Sequence, residues 1–236
     1  MIEAPEARIL CRQLNETVRG KKITDVYTQF SPHKFAWFTG SSEEYAEQLS
    51  GKTIDHAQSQ GGMVEITIGD KVLILTDGVN LRYLAPGSKL PAKHQLLIAF
   101  EDESCLVASV RMYGGLMCYD KDAADGVLSN YYLTARSKPQ VMSDGFSPEY
   151  FLGLINADSA QKKSAKAFLA TEQTIPGLGN GVLQDILFKS HIHPKRRLAT
   201  LGDVELGRMY SSVKSTLRDM ADRGGRDTEK DLLGKP

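Results

Sequence analysis

The residues best suited to chemistry lie in one glycine-rich stretch, "TEQTIPGLGNGVLQDILFKSHIHPKRR". Gly177, Gly179 and Gly181 have no Cβ and let the backbone approach a ligand, and the amides that open the following helix form an anion site. Asn180 adds side-chain donors, and basic residues 195–197 follow the helix. The pattern predicts a phosphate clamp. An ordinary helical hairpin with a glycine-rich turn fits the spacing equally well.

The amino terminus, "MIEAPEA", is a second candidate site because it holds two carboxylates within six residues. Pro5 and Glu6 are typical of a helix start, since proline suits the first turn and an acid favours the positive end of the helix dipole. Apolar residues then recur on one helical face as far as Val18, and Gly20 ends the helix. A helix start does not explain Glu3.

Composition limits the classes of partner. The 236 residues carry 29 basic and 29 acidic side chains, so a polyanion would have to be bound by a local patch. Cys11, Cys105 and Cys118 show no paired spacing, which predicts reduced thiols and neither a disulfide framework nor a zinc site. Neither a signal peptide nor an apolar run of roughly 18 residues is found, so we expect a soluble, intracellular protein.

The elements that must position these residues differ between the two halves. Residues 21–119 are rich in β-branched and aromatic residues with tight turns at Gly69-Asp70 and at 101–103, which predicts an antiparallel sandwich or barrel interrupted by a short helix at 42–49. The polar segment "DKDAADGVLSNYYLTARSKPQVMSDGF" has little periodicity and indicates a linker.

The second half is predicted to be helical. One helix begins at Ser147 as N-cap with Pro148 in its first position, and "SAKAFLATEQ" and "GVLQDILFKSH" form two more. A fourth helix carries an apolar stripe at Val204, Met209, Val213 and Leu217. The fold class is therefore α+β: an N-terminal helix plus antiparallel β-sandwich domain at 1–122, a linker at 123–146 and an all-helical domain at 147–236.

Several motifs together resemble the formamidopyrimidine-DNA glycosylase / endonuclease VIII family of DNA repair enzymes. The glycine-rich stretch is similar to that family's helix–two-turn–helix, and "M-x-E-x-P-E", "KHQLLIAFEDES", "VRMYGGL" and "GGRDTEKDL" occur in the family's order. The resemblance spans essentially the whole chain. It implies a base-excision-repair DNA glycosylase and abasic-site lyase, which binds damaged duplex DNA between two domains and flips one nucleotide.

The resemblance also implies which residues contact DNA. Phosphate and backbone contacts fall to Asn180, to the amides of Gly177, Gly179 and Gly181, and to Lys166, Lys93 and His94. Arg111 matches the residue that fills the space left by a flipped nucleotide, and Tyr113 matches an aromatic wedge that stacks on neighbouring bases. A surface arginine at a strand end and a core tyrosine are the structural alternatives.

The family's chemistry, by resemblance, uses an amino-terminal amine as nucleophile and an adjacent glutamate to move protons. This implies Glu3, Ile2 and Glu6 as the candidate catalytic residues. In most of the family the amine belongs to a proline exposed by removal of methionine. Ile2 stands at that position here, and we expect Met1 to remain because it is normally removed only before small residues.

Other positions also depart from the family. Met63 falls where the family has a catalytic lysine, and Asp77 or Gly78 falls near a third wedge residue. The family's four-cysteine zinc finger has no counterpart up to Pro236, so we expect no cofactor in this chain, with zinc implied only if a finger follows.

Three functions therefore stay open. The first is glycosylase and lyase activity, and the second is a catalytically impaired or repurposed member of the family that binds damaged DNA. The third, an RNA-associated or ribosome-associated protein, is disfavoured by the neutral charge. We expect a monomer in the cytoplasm, associated with the nucleoid by function and with no membrane partner.

Overall fold

The computed structural model describes residues 1–124 and 127–235, so Asp125, Gly126 and Pro236 lie outside the described residues. Helix α1 (Ala4–Thr17) opens the chain with Pro5 in its first turn, as the sequence predicts. Its apolar face, which includes Leu10 and Leu14, is buried in the core of the first half. Burial of this face fixes the amino terminus against the strands that follow.

Nine strands within the described residues form the predicted sandwich. They are β1 (Ile23–Thr28), β2 (Ala36–Phe38), β3 (Ile54–Gln60), β4 (Met63–Ile68), β5 (Lys71–Thr76), β6 (Val79–Leu84), β7 (Leu96–Phe100), β8 (Cys105–Val110) and β9 (Gly114–Asp120). A short 3-10 helix (Ser42–Glu44) and α2 (Tyr45–Leu49) match the helix expected at 42–49.

The strands form two sheets, one in the order β1-β7-β8-β6 and the other in the order β2-β9-β5-β4-β3. Pairing is antiparallel except between β2 and β9, which run parallel. The hairpin predicted at Gly69-Asp70 joins β4 to β5, where Gly69 adopts a φ of 59°. The main apolar core lies between the sheets and under α1.

The segment predicted as a linker is more structured than expected. It contains helix α3 (Asn130–Ser137), and Leu128, Tyr132 and Ala135 pack on the outer face of the five-stranded sheet. The Tyr132 hydroxyl donates to Oε2 of the buried Glu65, at 2.7 Å. The apolar residues of this segment recur at i, i+4 and i+7, which is the spacing of one helical face, but the stretch is short and lies among many polar residues.

The second half is helical, as predicted. Its helices are α4 (Pro148–Asn156), α5 (Asp158–Gln161), α6 (Ala165–Ala170), α7 (Asn180–Ser190) and α8 (Asp203–Asp222), with a 3-10 turn at Leu198–Thr200. The N-cap assignment is confirmed, because Ser147 Oγ accepts from the Tyr150 amide at 3.2 Å. Of the predicted stripe on α8, Met209, Val213 and Leu217 are buried. Val204 is 77% exposed because it lies five residues before Met209, off the buried face, and Leu206, three residues before Met209, is buried instead.

Residues 226–235, here called the strap, do not stay with the helical half to which the sequence assigned them. Leu232 is buried in the sandwich core, where its carbonyl accepts from the Tyr83 amide and its amide donates to Gln13 Oε1, both at 2.9 Å. The strap therefore returns the chain to the sandwich and to α1. Within the described residues, no helix is both long and apolar enough to cross a membrane.

Candidate functional site

Glu3 joins the two halves of the chain. It precedes α1, it is buried, and its carboxylate reaches the first turn of α7. Oε2 accepts from the amides of Gly179 (3.2 Å) and Val182 (2.9 Å), and Oε1 accepts from that of Gly181 (2.9 Å). The first amides of a helix have no acceptor within the helix, and its positive dipole end favours a carboxylate. Glu3 therefore caps α7 from another part of the chain.

Arg226 supplies the countercharge to Glu3 and Glu6. Its Nη1 donates to Glu3 Oε1 at 3.1 Å, while its Nε and Nη2 donate to the two oxygens of Glu6 at 2.9 and 3.0 Å. The Arg226 amide and the Glu3 amide fill the remaining acceptor positions of Glu6. Burial opposes the charge of Arg226, but bonding to Glu6 and the charges of Glu6, Glu3 and Glu229 raise its pKa overall. Glu6 is thus a structural ion-pair partner, and the catalytic role predicted for it is unsupported.

The glycines of the predicted phosphate clamp pack against the amino terminus. A Cβ at Gly179 would lie 2.7 Å from the Glu3 carboxyl carbon, and one at Gly177 would lie 2.7 Å from the Gly61 carbonyl carbon. The amides of Gly179 and Gly181 donate to Glu3, so they are not available to a phosphate while Glu3 keeps this position. The prediction for these two amides therefore has to be revised, because the anion they bind is part of the protein.

Asn180 and Lys166 are brought together as predicted. Both are exposed, and with Leu187, His191 and Pro194 they line a groove of about 700 Å³ on the helical half. Their role in phosphate binding stays a prediction.

With Met1 in place, position 2 does not carry the amine predicted as nucleophile. The nitrogen of Ile2 is an amide that donates to the Asp77 carbonyl at 2.6 Å, and the Ile2 side chain is buried in the sandwich core. The terminal ammonium belongs to Met1 and forms an ion pair with Glu229 of the strap. An amide nitrogen is not nucleophilic, so the role predicted for Ile2 requires removal of Met1 and stays a prediction.

A cavity of about 380 Å³ lies between the two halves. Met1, Ile2, Glu3, Gly62 and Asp77 line it from the sandwich side, and Asn130, Tyr131, Thr134, Glu172, Gln173, Gly177 and Gly179 are among the residues that line it from α3 and the helical half. Burial raises the pKa of the Asp77 carboxyl, although a hydrogen bond from Thr76 and the amino-terminal charge lower it. Partial burial, with smaller contributions from Asp77, Tyr113 and Glu3, raises the pKa of Tyr131 to about 12.

The residue that faces the cavity from the β3–β4 turn is Gly62 rather than Met63. Met63 is buried on β4 among Val72, Ile74 and Tyr132, on the other side of the sheet. Successive side chains of a strand point to opposite faces, so a difference of one position reverses the direction. A Cβ at Gly62 would lie 3.2 Å from the Ile2 carbonyl oxygen. Met63 therefore does not line the cavity, and its match to the family's lysine position stays a prediction.

Arg111 and Tyr113 are both exposed on the β8–β9 loop, as the wedge prediction requires. The backbone of Gly78 holds this loop, because its carbonyl accepts from the Arg111 amide (3.2 Å) and its amide donates to the Tyr113 carbonyl (2.9 Å). A Cβ at Gly78 would lie 2.6 Å from that carbonyl oxygen, so only glycine fits. Their insertion between bases stays a prediction, and Asp77 points to the cavity instead of forming a third wedge.

Lys93 and His94 differ in accessibility. Lys93 is exposed, whereas His94 is 3% exposed and stacks on Phe30 with ring centroids 4.6 Å apart. His94 Nδ1 pairs with the Pro91 carbonyl at 3.1 Å. The backbone contact predicted for His94 therefore lacks an accessible side chain, while that of Lys93 stays a prediction.

Arg226 is a site residue that sequence reasoning missed, and Asp77 was expected only near a wedge position and not in the cavity. The available signal for Arg226 was the pair of carboxylates beside a helix start, because carboxylates that become buried require a countercharge. Asp77 has a weaker signal, since a turn between two strands is a common position for aspartate.

The described residues contain no group of three or more His, Cys, Asp or Glu side chains arranged to hold a metal ion. The three cysteines are buried at separate places, and burial raises the pKa of Cys11 to about 12 and that of Cys118 to about 11. Protonated, separated thiols do not fit a zinc site.

Comparison with known proteins agrees with this architecture. A sequence profile described as "Formamidopyrimidine-DNA glycosylase N-terminal domain" matches residues 1–141. The formamidopyrimidine-DNA glycosylase of Shouchella clausii is 27% identical over 239 residues, covering 100% of this chain and 83% of that protein. The Streptococcus pneumoniae protein of the same name is 25% identical over 229 residues, covering 95% and 79%.

Solved structures share the fold. A complex between the Lactococcus lactis Fpg and DNA containing an abasic site superposes with a TM-score of 0.80 at 23% identity, covering 95% of this chain and 81% of that one. A structure of MutM with DNA containing carbocyclic 8-oxo-G gives a TM-score of 0.80 at 22% identity, with the same coverage. At this identity the likeness establishes the fold.

Proposed function

The chain belongs to the formamidopyrimidine-DNA glycosylase family, and on that premise we propose that it is a base-excision-repair DNA glycosylase that binds damaged duplex DNA and flips one nucleotide. The observation that carries the proposal is the cavity between the sandwich and the helical half. Its volume of about 380 Å³ lies within the range of small-ligand pockets, and a base must leave the stack before it can be processed.

The surroundings of the cavity suit a nucleotide that enters from a duplex. Arg111 and Tyr113 are exposed on the sandwich side, and Asn180 and Lys166 line the groove on the helical side. We propose that the first pair fills the space left in the stack and that the second pair binds phosphates, with Lys93 as a further backbone contact. Because the chain has no net charge, these few groups would carry the electrostatic part of binding.

The covalent lyase step is the part of the family's chemistry that this geometry supports least. The Met1 ammonium would have to leave Glu229 and lose a proton before it could attack a sugar carbon. No lysine is among the described residues that line the cavity. Asp77 and Glu172 both line the cavity with one carboxylate oxygen that accepts no hydrogen bond within the described residues, and Asp77 is the less exposed of the two. We propose that Asp77 takes a proton from a water molecule whose oxygen bonds to the sugar carbon, while the base leaves with the electron pair of the broken N-glycosidic bond and takes a proton from solvent.

A second candidate, binding of damaged DNA without catalysis, is favoured by the state of Glu3. Its two oxygens already accept four hydrogen bonds, about the number that a carboxylate can take. A proton-shuttling role for Glu3 would therefore require that one of these bonds be broken.

Duplexes with an oxidised base, with an abasic-site analogue and without damage test both candidates, using the untagged protein with Met1 retained. Base release without a borohydride-trapped adduct supports hydrolysis, whereas an adduct that maps to Met1 supports the amine mechanism. Selective binding without either supports the second candidate. Equal affinity for damaged and undamaged duplexes would refute the proposal as a whole.

We also propose that the protein is a cytoplasmic monomer associated with the nucleoid. The described residues contain no helix that could span a membrane, which agrees with this proposal. We propose no cofactor for this chain, and for a metal ion the support is that no group of three or more His, Cys, Asp or Glu side chains among the described residues is arranged to hold one.

A further inference from the structure

Three aromatic side chains are exposed along one edge of the five-stranded sheet. Phe35 is 48% exposed, Trp37 49% and Tyr113 38%, and the rings of Trp37 and Tyr113 lie 5.8 Å apart between centroids. These three residues are here called the aromatic strip. Large apolar groups are usually buried, so a row of them that stays in solvent indicates a binding surface.

Backbone pairing fixes the strip in place. The Phe35 carbonyl accepts from the Gly114 amide at 3.0 Å, and β2 pairs in parallel with β9 so that Trp37 lies opposite Gly115. Gly115 has no side chain that could lie over the indole ring. Backbone pairing therefore holds the strip in place, while each of its three side chains stays at least 38% exposed.

The strip begins at the mouth of the cavity. The Tyr113 hydroxyl lies 4.0 Å from the Met1 sulfur, and Met1 is one of the cavity-lining residues. Positive charge accompanies the strip, since Lys34 Nζ lies 5.4 Å from the Phe35 ring centroid and Arg111 is exposed on the same loop as Tyr113. Insertion of Tyr113 into the base stack does not account for the exposure of Phe35 and Trp37, which lie beyond Tyr113 along the edge of the sheet.

We propose that the aromatic strip binds unpaired DNA bases next to the flipped nucleotide, an inference that rests on the proposed function. Exposed aromatic faces stack on any base, and neighbouring cations bind the phosphates between them. Bases of an intact duplex are already stacked on each other and cannot use Phe35 or Trp37. The preferred ligand is therefore damaged DNA whose flanking nucleotides are unpaired, as in a bubble or beside a single-stranded segment.

Trp37 is the single tryptophan of the chain, so its fluorescence reports on the strip directly. The probes are an abasic-site analogue in a fully paired duplex and the same analogue flanked by three unpaired nucleotides. We expect quenching by the second DNA and little by the first. We expect Trp37→Ala to weaken binding of the unpaired DNA about 5- to 150-fold and to leave binding of the paired duplex unchanged.

Two further variants separate stacking from folding. Trp37→Phe keeps an aromatic face and should retain most of the affinity, and Tyr27→Ala removes a residue that is 56% exposed on the outer face of the other sheet and should change neither affinity. Absence of quenching, together with unchanged affinity of Trp37→Ala for the unpaired DNA, would overturn the inference. Failure to prefer either damaged DNA over undamaged duplex would instead refute the proposed function, and the inference with it.

Discussion

Replacement of Glu3 by glutamine tests whether this residue is mainly structural. The side chain keeps its size but loses its charge, and one acceptor oxygen becomes an NH₂ group. That group would face the α7 amides or the Arg226 guanidinium, all of which are donors. Glu3→Gln should therefore lose bonds on both sides of the interface between the halves.

The expected cost follows from the lost contacts. Removal of a helix cap costs about 0.5–2 kcal/mol, and loss of a hydrogen bond to a charged group costs about 1.5–3 kcal/mol. Arg226 keeps Glu6 as a partner, so the roughly 3–5 kcal/mol typical of an orphaned buried charge is not reached in full. We expect a loss of about 2–4 kcal/mol, or about 4–16 °C in Tm for a protein of this size.

Thermal unfolding followed by circular dichroism measures the effect. Glu16→Gln is a matched control, because Glu16 is exposed on the same helix and should leave Tm unchanged. A purely catalytic carboxylate predicts the opposite result, since removal of a functional charge often leaves stability unchanged or increases it. If Glu3→Gln has the same Tm as the unsubstituted protein, the structural role assigned to Glu3 is wrong.

Three other outcomes are expected. Gly181→Ala should lower Tm, because its Cβ would lie 1.5 Å from Arg226 Nη1. Gly207→Ala should raise Tm slightly, because Gly207 lies on α8 with open space around it and alanine favours a helix. Equal Tm values for the two variants would contradict this prediction. Asp77→Asn should raise Tm at pH 7, because the raised pKa of Asp77 means that its charged form destabilises the folded protein. This gain in Tm should shrink as pH falls below the raised pKa and vanish below the ordinary aspartate pKa. A gain in Tm that grows in acid would contradict the prediction. Thr216→Val should stabilise the protein by about 1 kcal/mol in urea unfolding, because Thr216 Oγ1 is buried without a hydrogen-bond partner among the described residues; a loss of stability would indicate a partner, such as a water molecule.

Local signals were sufficient for most elements of the fold. Pro5 marks the start of α1, Ser147 caps α4, and Gly69-Asp70 turns between β4 and β5, as the sequence predicts. Each of these features depends on residues within a few positions of each other. The family resemblance also identified the exposed pair Asn180 and Lys166, which meet at one groove.

Features that depend on distant contacts could not be predicted. Nothing near Arg226 indicates that it binds Glu3 and Glu6, and nothing near Leu232 indicates burial in the sandwich. The same holds for the amides of Gly179 and Gly181, whose anion comes from the other end of the chain. The burial of Met63 away from the cavity could not be predicted for another reason, because a shift of one residue along a strand reverses the face to which a side chain points.

The ion pair between Glu3 and Arg226, two residues separated by 223 positions, also determines when the buried carboxylates gain their countercharge during synthesis. A ribosome releases the amino end first, at about 5–20 residues per second, so the sandwich is available long before α7 and the strap. During that interval Glu3 and Glu6 have neither the α7 amides nor a guanidinium, and their carboxylates stay hydrated. The buried cluster of Glu3, Glu6 and Arg226 is therefore completed only after residue 226 has emerged, so the Glu3 cap on α7 gains its countercharge after both halves have been made.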